Sequence, residues 1–498
     1  MMKTTHVTGA WWARGISASV LIVLTSATLL YGIYLIVGNT PAEGGAGWDG
    51  RVYLYYAQMA GFGEPVAGDP YRTIRLSGFL PIIGAASRGF SVEQLIAFQM
   101  FFNIGLISLA MALLHDTLRQ LGVSPKVALL TLLTAVASWS ALVMPVFYPI
   151  LSDHMALALS CLCLWCWVRS FQTMLYILVA YCLWVMPGLF IVPLILAGMP
   201  RSQADQPDGV NRPYLVYILF GLALLAVFPA LYKMIENIPD YLVEGHGSTQ
   251  GGQTSALSLR LVSSGTLLGS VALVLWFGAK ALSDSAVWRS INPGATIMAM
   301  VFFAFSALAM YFLVDWSANF NGPPLMLFML LQSLSAPFKP AAAHFLYFGP
   351  VIAMAIIACV GWAIGRKPSP PRALLVCMLG FLPVLALGSE SRQWIGVLPI
   401  AAVLVGLADF SRLQRVLSLV VAMALIIPAV GLHSGVETAL AESLSFQSGA
   451  WQYYFSRQGP WMSLQSYQIG AALLIVYVLL MFGARHYDKS RSNQAALV

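Results

Sequence analysis

The residues best suited to chemistry lie in one stretch after the first long apolar run, GNTPAEGGAGWDGRVYLYYAQMAGFGEPVAGDPYRTIRLSGFLP, residues 38–81. One acid of this stretch, Asp49, lies between Trp48 and Gly50, and two arginines, Arg72 and Arg75, follow near its end. Guanidinium groups bind phosphate oxygens through paired hydrogen bonds, so the arginines indicate a site for a lipid phosphate. Two plainer interpretations stay open: Asp-Gly is a common turn dipeptide, and arginines near a membrane also anchor to lipid headgroups.

The surroundings of Asp49 suit a loop that crowds a ligand. Glycines reach backbone conformations closed to other residues, and four of them cluster here, at positions 44, 45, 47 and 50. Val52, Tyr55, Tyr56 and Met59 recur at helical spacing, which predicts a helix lying in the membrane interface.

The same motif resembles the GT-C superfamily of membrane glycosyltransferases. The residues that carry the resemblance are Trp48-Asp49-Gly50, then Tyr53 and Tyr55, then Tyr71-Arg72 with Arg75 and Pro81. The resemblance implies a polyprenyl-phosphate-linked sugar as donor, Asp49 as catalytic base, and substrate contacts from Tyr53 and Tyr71. Many superfamily members carry paired acids here, whereas Asp49 stands alone until Asp69. No metal ligand is therefore predicted, and assistance by a divalent cation stays open.

One carboxylate is enough for this chemistry. Glycoside hydrolases use two carboxyl groups, because the leaving group must be protonated while water is activated. Phosphate leaves as an anion and needs charge stabilisation instead. The remaining task is to take a proton from the acceptor hydroxyl. Asp49 and the arginines could divide these tasks, with Arg392 as a further phosphate contact.

Other candidates lie between later apolar runs. Asp153 begins a run at a position that resembles that of a second catalytic acid in the superfamily, although a helix cap is the alternative. Glu390 and Arg392 are charges near membrane depth, where ionisable groups are usually paired or functional. A simple ion pair between them is the plainer interpretation. His344, near the outer end of its run, is a further substrate-binding candidate.

The elements that must position these residues are transmembrane helices. Of the 498 residues, 59% are hydrophobic and 9% are charged, against about 25% charged in soluble domains. The apolar runs lack strand alternation, so we predict an all-α polytopic membrane protein of about 12 to 14 transmembrane segments, GT-C-like, in a single transmembrane domain spanning 1–498. A first outer loop at 38–91 would contain interfacial helices and a broken or re-entrant segment. The run at 174–198 should break at Pro187-Gly188.

Charge distribution predicts the orientation. Basic residues favour cytoplasmic loops, and an inside amino terminus places 17 of the 26 on that side. Both termini would then be cytoplasmic, and the site would face the periplasm or exterior, with a bacterial inner (plasma) membrane as the expected location. The net charge of +7 reflects this arrangement, and no nucleic-acid motif is present. A last outer loop at 433–466 holds aromatic residues that could stack on sugars or lie at the interface.

Three functions fit these features. The first is a transferase, of inverting type, that moves a sugar from a polyprenyl-phosphate donor to a lipid-linked glycan or surface polysaccharide. The second is a polysaccharide polymerase or ligase, which shares the donor type and the outer-face site. The third is a transporter or flippase of lipid-linked substrates, which charges deep within many spans would favour.

Overall fold

The computed structural model describes residues 9–66, 68–201, 213–236, 257–316, 330, 333, 339–365, 370–387 and 390–495. These residues form helices and turns, with no β-strand among them. In chain order the helices are α1 (Gly9–Val37), α2 (Trp48–Gly61), α3 (Pro70–Thr73), α4 (Leu80–Ala86), α5 (Val92–Gln120), α6 (Pro125–Val136), α7 (Met144–Phe147), α8 (Asp153–Val168), α9 (Gln172–Val185), α10 (Ile191–Gly198), α11 (Pro213–Glu236), α12 (Leu257–Ser283), α13 (Ser285–Arg289), α14 (Pro293–Leu313), α15 (His344–Phe348), α16 (Pro350–Ala363), α17 (Arg372–Leu387), α18 (Val397–Leu407), α19 (Arg412–Ile426), α20 (Leu432–Ala441), α21 (Gly449–Phe455) and α22 (Leu464–Ala495).

Seven helical stretches of the described residues are long and apolar enough to cross a membrane. They are Ala18–Val37, Val92–Gln120, Tyr214–Glu236, Leu261–Ser283, Pro293–Leu313, Arg412–Ala441 and Leu464–Ser490. The chain is therefore an integral multi-pass membrane protein, as the composition predicted. The other apolar runs form shorter helices of 10–17 residues.

Several runs that look continuous in the sequence are broken. The run at 125–147 bends by 72° between α6 and the turns that follow, because Ser138 is extended and caps the next turn through the N–H of Ala141. Gly349, with φ +71°, separates α15 from α16. The predicted break at Pro187-Gly188 is confirmed: α9 ends at Val185, and a 3-10 turn at Pro187–Phe190 leads into α10.

Helix α5 organises the core near the site. It packs against α1 and α8, and it begins with a capping box in which Ser91 and Gln94 bond to each other's backbone N–H. In its middle, the fully buried Asn103 amide donates to the carbonyls of Pro145 and Pro149 at 3.0 and 2.9 Å. These bonds fix the segment that joins α7 to α8. Tyr148 in this segment and Asp153 at the start of α8 are both described below.

The stretch between α1 and α5 is made of short pieces. Helix α2 coincides with the predicted helical spacing, but its buried side chains include Tyr53 and Tyr56, whereas Tyr55 is exposed. The short α3, a 3-10 turn at Ile74–Phe79 and α4 follow without a long helix. The stretch 433–466 contacts these pieces: His433 of α20 bonds through its ring to the carbonyl of Asn39 at 2.9 Å.

Candidate active site

Asp49 lies in the first turn of α2, and its backbone is held by the hydroxyl of Tyr148. That hydroxyl accepts the N–H of Asp49 at 2.7 Å and the N–H of Gly50 at 3.2 Å. Such N–H groups at a helix start have no partner within the helix. The close approach requires glycine, because a Cβ on Gly47 (φ +72°) would lie 2.4 Å from the Tyr148 ring and one on Gly50 would lie 2.9 Å from Ile150 Cβ.

The carboxylate of Asp49 lies between two guanidinium groups. Its Oδ1 accepts from Nη2 of Arg72 at 2.9 Å, and its Oδ2 accepts from Nη2 of Arg392 at 2.5 Å. Burial alone would raise the pKa of Asp49, but the charges and hydrogen bonds of Arg392 and Arg72 outweigh it and hold that pKa well below its usual range. Asp49 is therefore ionised, with one oxygen committed to each arginine.

Arg72 is held in place by a second acid, Asp69. The Nη1 of Arg72 donates to Asp69 Oδ2 at 2.9 Å, and Asp69 Oδ1 caps α3 by accepting the N–H of Tyr71 at 2.9 Å. The N–H of Asp69 in turn donates to the hydroxyl of Tyr56 at 3.1 Å. The sequence marked Asp69 only as the next aspartate after Asp49, whereas the structure makes it the residue that orients Arg72.

Arg392 comes from a 3-10 turn, Ser391–Trp394, that lies 343 residues beyond Asp49 in the sequence. Its Nε donates to Glu390 Oε2, so the plain ion pair exists, but Arg392 also reaches Asp49. The other oxygen of Glu390 accepts from the indole N–H of Trp461 at 2.8 Å. Asp49 and Glu390, the two acids bonded to Arg392, therefore connect the turn at Ser391–Trp394 to α2 and to Trp461.

His344 supports this turn. Its Nε2 lies 2.8 Å from the carbonyl of Leu385 and its Nδ1 lies 3.0 Å from the hydroxyl of Ser391. A carbonyl only accepts, so we assign the proton to Nε2, and Nδ1 accepts from Ser391. These bonds make His344 a positioning residue behind Arg392. Its predicted contact with substrate stays a prediction.

Arg75 differs from the other two arginines because no carboxylate in the described ranges lies within 4.0 Å of its guanidinium. The side chain is 7% exposed, stacks 3.9 Å over the ring centroid of Tyr71, and donates to the Tyr71 hydroxyl at 2.5 Å. Tyr53, packed on Phe79, lies in the same neighbourhood, and burial raises the pKa of Tyr53 to about 12, so its hydroxyl is neutral.

Asp153 is 2% exposed at the start of α8. Ser152, which precedes it, makes no side-chain cap, and Asp153 Oδ2 has no hydrogen-bond partner within the part of the chain that the structure describes. The positive charges of Arg392 and Arg75 act on the Asp153 carboxyl group. The buried Tyr347 hydroxyl, also without a partner there, lies within electrostatic range of it. A buried acid left in this state is available to a ligand.

Aromatic residues of the stretch 433–466 pack against Trp48, the residue that precedes Asp49. Trp48 contacts Trp451, Tyr454 and Phe455 with ring centroids 5.5 to 5.7 Å apart, and Trp451 and Tyr454 are each 3% exposed. These rings therefore pack against residues of the stretch that carries Asp49. Tyr453, by contrast, is 42% exposed.

The described residues contain no group of three or more His, Cys, Asp or Glu side chains that could hold a metal ion. The site is instead a set of arginines and carboxylates enclosed by tyrosines. The sequence did not predict Tyr148. Its only signal was an aromatic residue before Pro149, a pattern too common to indicate a role.

The fold and site together define an integral multi-pass membrane protein with a charged site built from four stretches of the chain, 48–75, 148–153, 390–394 and 451–461. In comparisons with known proteins, no family model, curated protein or solved structure matches this chain.

Proposed function

We propose that this protein is a membrane glycosyltransferase of the GT-C type. It transfers a sugar from a polyprenyl-phosphate donor to a lipid-linked glycan or surface polysaccharide, with Asp49 as general base. The observation that carries the proposal is the Asp49 carboxylate held between Arg72 and Arg392, with the unpaired Arg75 nearby. A base and a group of phosphate-binding cations are the two functions that this reaction requires.

The reaction balances with these groups. The acceptor hydroxyl oxygen attacks the anomeric carbon of the sugar, and the bond from that carbon to the phosphate oxygen breaks. Its electron pair leaves with the phosphate, where Arg72, Arg75 and Arg392 stabilise the negative charge. The hydroxyl proton passes to Asp49. Attack from the face opposite the phosphate inverts the anomeric configuration.

Three buried polar atoms without a hydrogen-bond partner among the described residues, Arg75 Nε, Asp153 Oδ2 and the Tyr347 hydroxyl, belong to side chains with roles in the same site. Arg75 would donate to a phosphate oxygen, because a desolvated guanidinium gains most from an added anion. Asp153 and the Tyr347 hydroxyl would bind hydroxyl groups of the sugar or acceptor, since each lacks a hydrogen-bond partner among the described residues. Asp153 then serves as the second catalytic carboxylate. Tyr53 and Tyr71, both at Arg75, would contact the phosphate region.

We place the site on the non-cytoplasmic face of a bacterial plasma membrane, with both termini cytoplasmic and 12 to 14 segments in the membrane. This arrangement rests on the bias of lysine and arginine between apolar runs. The same bias assigns residues 38–91, 390–394 and 433–466 to the exterior.

The test is transfer by the purified protein in lipid vesicles. Asp49→Asn should lose nearly all release of sugar from a polyprenyl-monophosphate sugar donor, with normal expression. Glu43→Gln is a matched control from the same loop, since Glu43 pairs only with the exposed Arg51 among the described residues. Retained transfer in Asp49→Asn would eliminate Asp49 as the base.

Two further substrates separate the alternatives. Release of glycan from a diphosphate-linked oligosaccharide, without release from the monophosphate sugar, would indicate a polymerase or ligase. Movement of the lipid-linked sugar across the vesicle membrane without sugar release would indicate a flippase. Either result would contradict the proposed transferase.

A further inference from the structure

Each arginine that touches Asp49 also has an acid of its own. Arg72 uses Nη2 for Asp49 and Nη1 for Asp69, while Arg392 uses Nη2 for Asp49 and Nε for Glu390. Asp69 and Glu390 each bond one of the two arginines, and only Asp49 bonds both. Asp69 therefore holds Arg72 and Glu390 holds Arg392, while the two guanidinium groups share the carboxylate of Asp49.

This arrangement conflicts with the task of a base. A base needs a free lone pair and enough proton affinity, and two guanidiniums remove both from a carboxylate. Nη2 of each guanidinium is bonded to Asp49, so a phosphate bound between the two arginines would use the same two donors. Asp49 and a phosphate therefore compete for the same donors.

We propose that Asp49 occupies the phosphate-binding position of Arg72 and Arg392 in the donor-free protein, and that the donor phosphate takes both arginines from it. The phosphate binds first to Arg75, the buried guanidinium without a carboxylate partner among the described residues. Asp69 and Glu390 keep Arg72 and Arg392 in place while they change partner. Asp49 is released, and it becomes a base only when the donor is bound. The choice of a polyprenyl phosphate as this anion rests on the proposed function.

This exchange makes an unusual prediction about affinity. A variant that removes the proposed base should bind the phosphate more tightly, since no internal anion has to be displaced. In the wild-type protein the phosphate must replace Asp49 in its hydrogen bonds to the arginines, and each such charge-assisted bond corresponds to about tenfold in affinity. Asp49→Asn should therefore bind the phosphate about tenfold more tightly or more.

The experiment measures binding of farnesyl phosphate to the purified full-length protein in detergent micelles, with farnesol as the ligand that lacks the phosphate. Asp69→Asn is the matched control. It removes a negative charge from the same arginine, while Asn Oδ1 can still cap the N–H of Tyr71. We expect tighter binding in Asp49→Asn and unchanged or weaker binding in Asp69→Asn, because Arg72 then loses its anchor.

The outcomes separate exchange from simple charge repulsion. Equal tightening in both variants would overturn the proposal, since any nearby negative charge would then have the same effect. Unchanged or weaker binding in Asp49→Asn, or no binding by any variant, would also overturn it. If Asp49→Asn does not yield folded protein, Asp49→Ser is measured in the same way. Inorganic phosphate, titrated in parallel, distinguishes a free-phosphate site from a lipid-phosphate site.

Transfer assays on the same preparations distinguish this proposal from the proposed function. The predicted order of affinities without any sugar transfer would support the exchange and contradict the transferase. Transfer by the wild-type protein with the wrong order of affinities would contradict the exchange alone.

Discussion

Replacing Tyr148 with phenylalanine tests how the backbone around Asp49 is held. The change removes one oxygen and keeps the ring that packs against Gly47 and Trp48. Two N–H groups then lose their acceptor, those of Asp49 and of the buried Gly50. Leaving a buried donor unpaired costs about 1–3 kcal/mol, so we expect Tyr148→Phe to lower the free energy of unfolding by about 2 kcal/mol.

The measurement is unfolding by sodium dodecyl sulfate in mixed micelles, followed by tryptophan fluorescence. Tyr347→Phe is the matched control, because the Tyr347 hydroxyl is equally buried and has no hydrogen-bond partner in the described part of the chain. That variant should unfold at the same detergent fraction as the wild-type protein or at a higher one. Equal destabilisation by both variants would refute the assignment of the Tyr148 hydroxyl as a cap.

Three further predictions concern the charged site and its loop. In Arg392→Gln, loss of one guanidinium should raise the pKa of Asp49 towards its ordinary range, so transfer should fall on the acid side at a higher pH than in the wild-type protein; an unchanged pH profile would contradict this. Gly50→Ala should cost about 1–3 kcal/mol of stability, since its Cβ would lie 2.9 Å from Ile150 Cβ; a stability equal to wild type in the same detergent titration would argue against tight packing there. Arg75→Gln should leave stability unchanged or raise it, because the guanidinium is desolvated without an ion pair among the described residues, and sugar transfer should fall by about 10²-fold. Loss of stability and transfer together would indicate a structural role for Arg75.

The sequence was sufficient for the local features of this fold. Apolar length predicted a multi-pass helical protein, and Pro187-Gly188 predicted the break after α9 because proline and glycine interrupt helical bonding. The bend at Ser138 was missed, since an apolar run shows no sign of where a serine turns outward to cap the next turn. Hydropathy reports which residues avoid water, but it does not report where a helix is interrupted.

The site could be predicted only in part, for a related reason. The first outer loop supplies Asp49, Arg72 and Arg75 within a short motif, so local spacing was enough to group them. Arg392 reaches the same carboxylate from 343 residues away, and periodicity carries no information about such a contact. Tyr148 is distant in the same sense. The sequence predicted the types of groups required, and the packing of α5 and the last loop determines which of them meet.

Arg75 and Asp153, which form no ion pair among the described residues, indicate what the charged site binds. Arg75 and Asp153 have opposite charges and lie within electrostatic range, yet no contact within 4.0 Å joins them. A direct ion pair would have relieved the desolvation of both side chains, and leaving them apart costs stability. Such a cost persists in a buried site when the separation serves another group. Arg72, Arg392 and Asp49 form ion pairs without that group, whereas Arg75 and Asp153 form none within the described residues. A bound ligand with an anionic end for Arg75 and hydroxyl groups for Asp153 would satisfy both, and a sugar phosphate has that pattern.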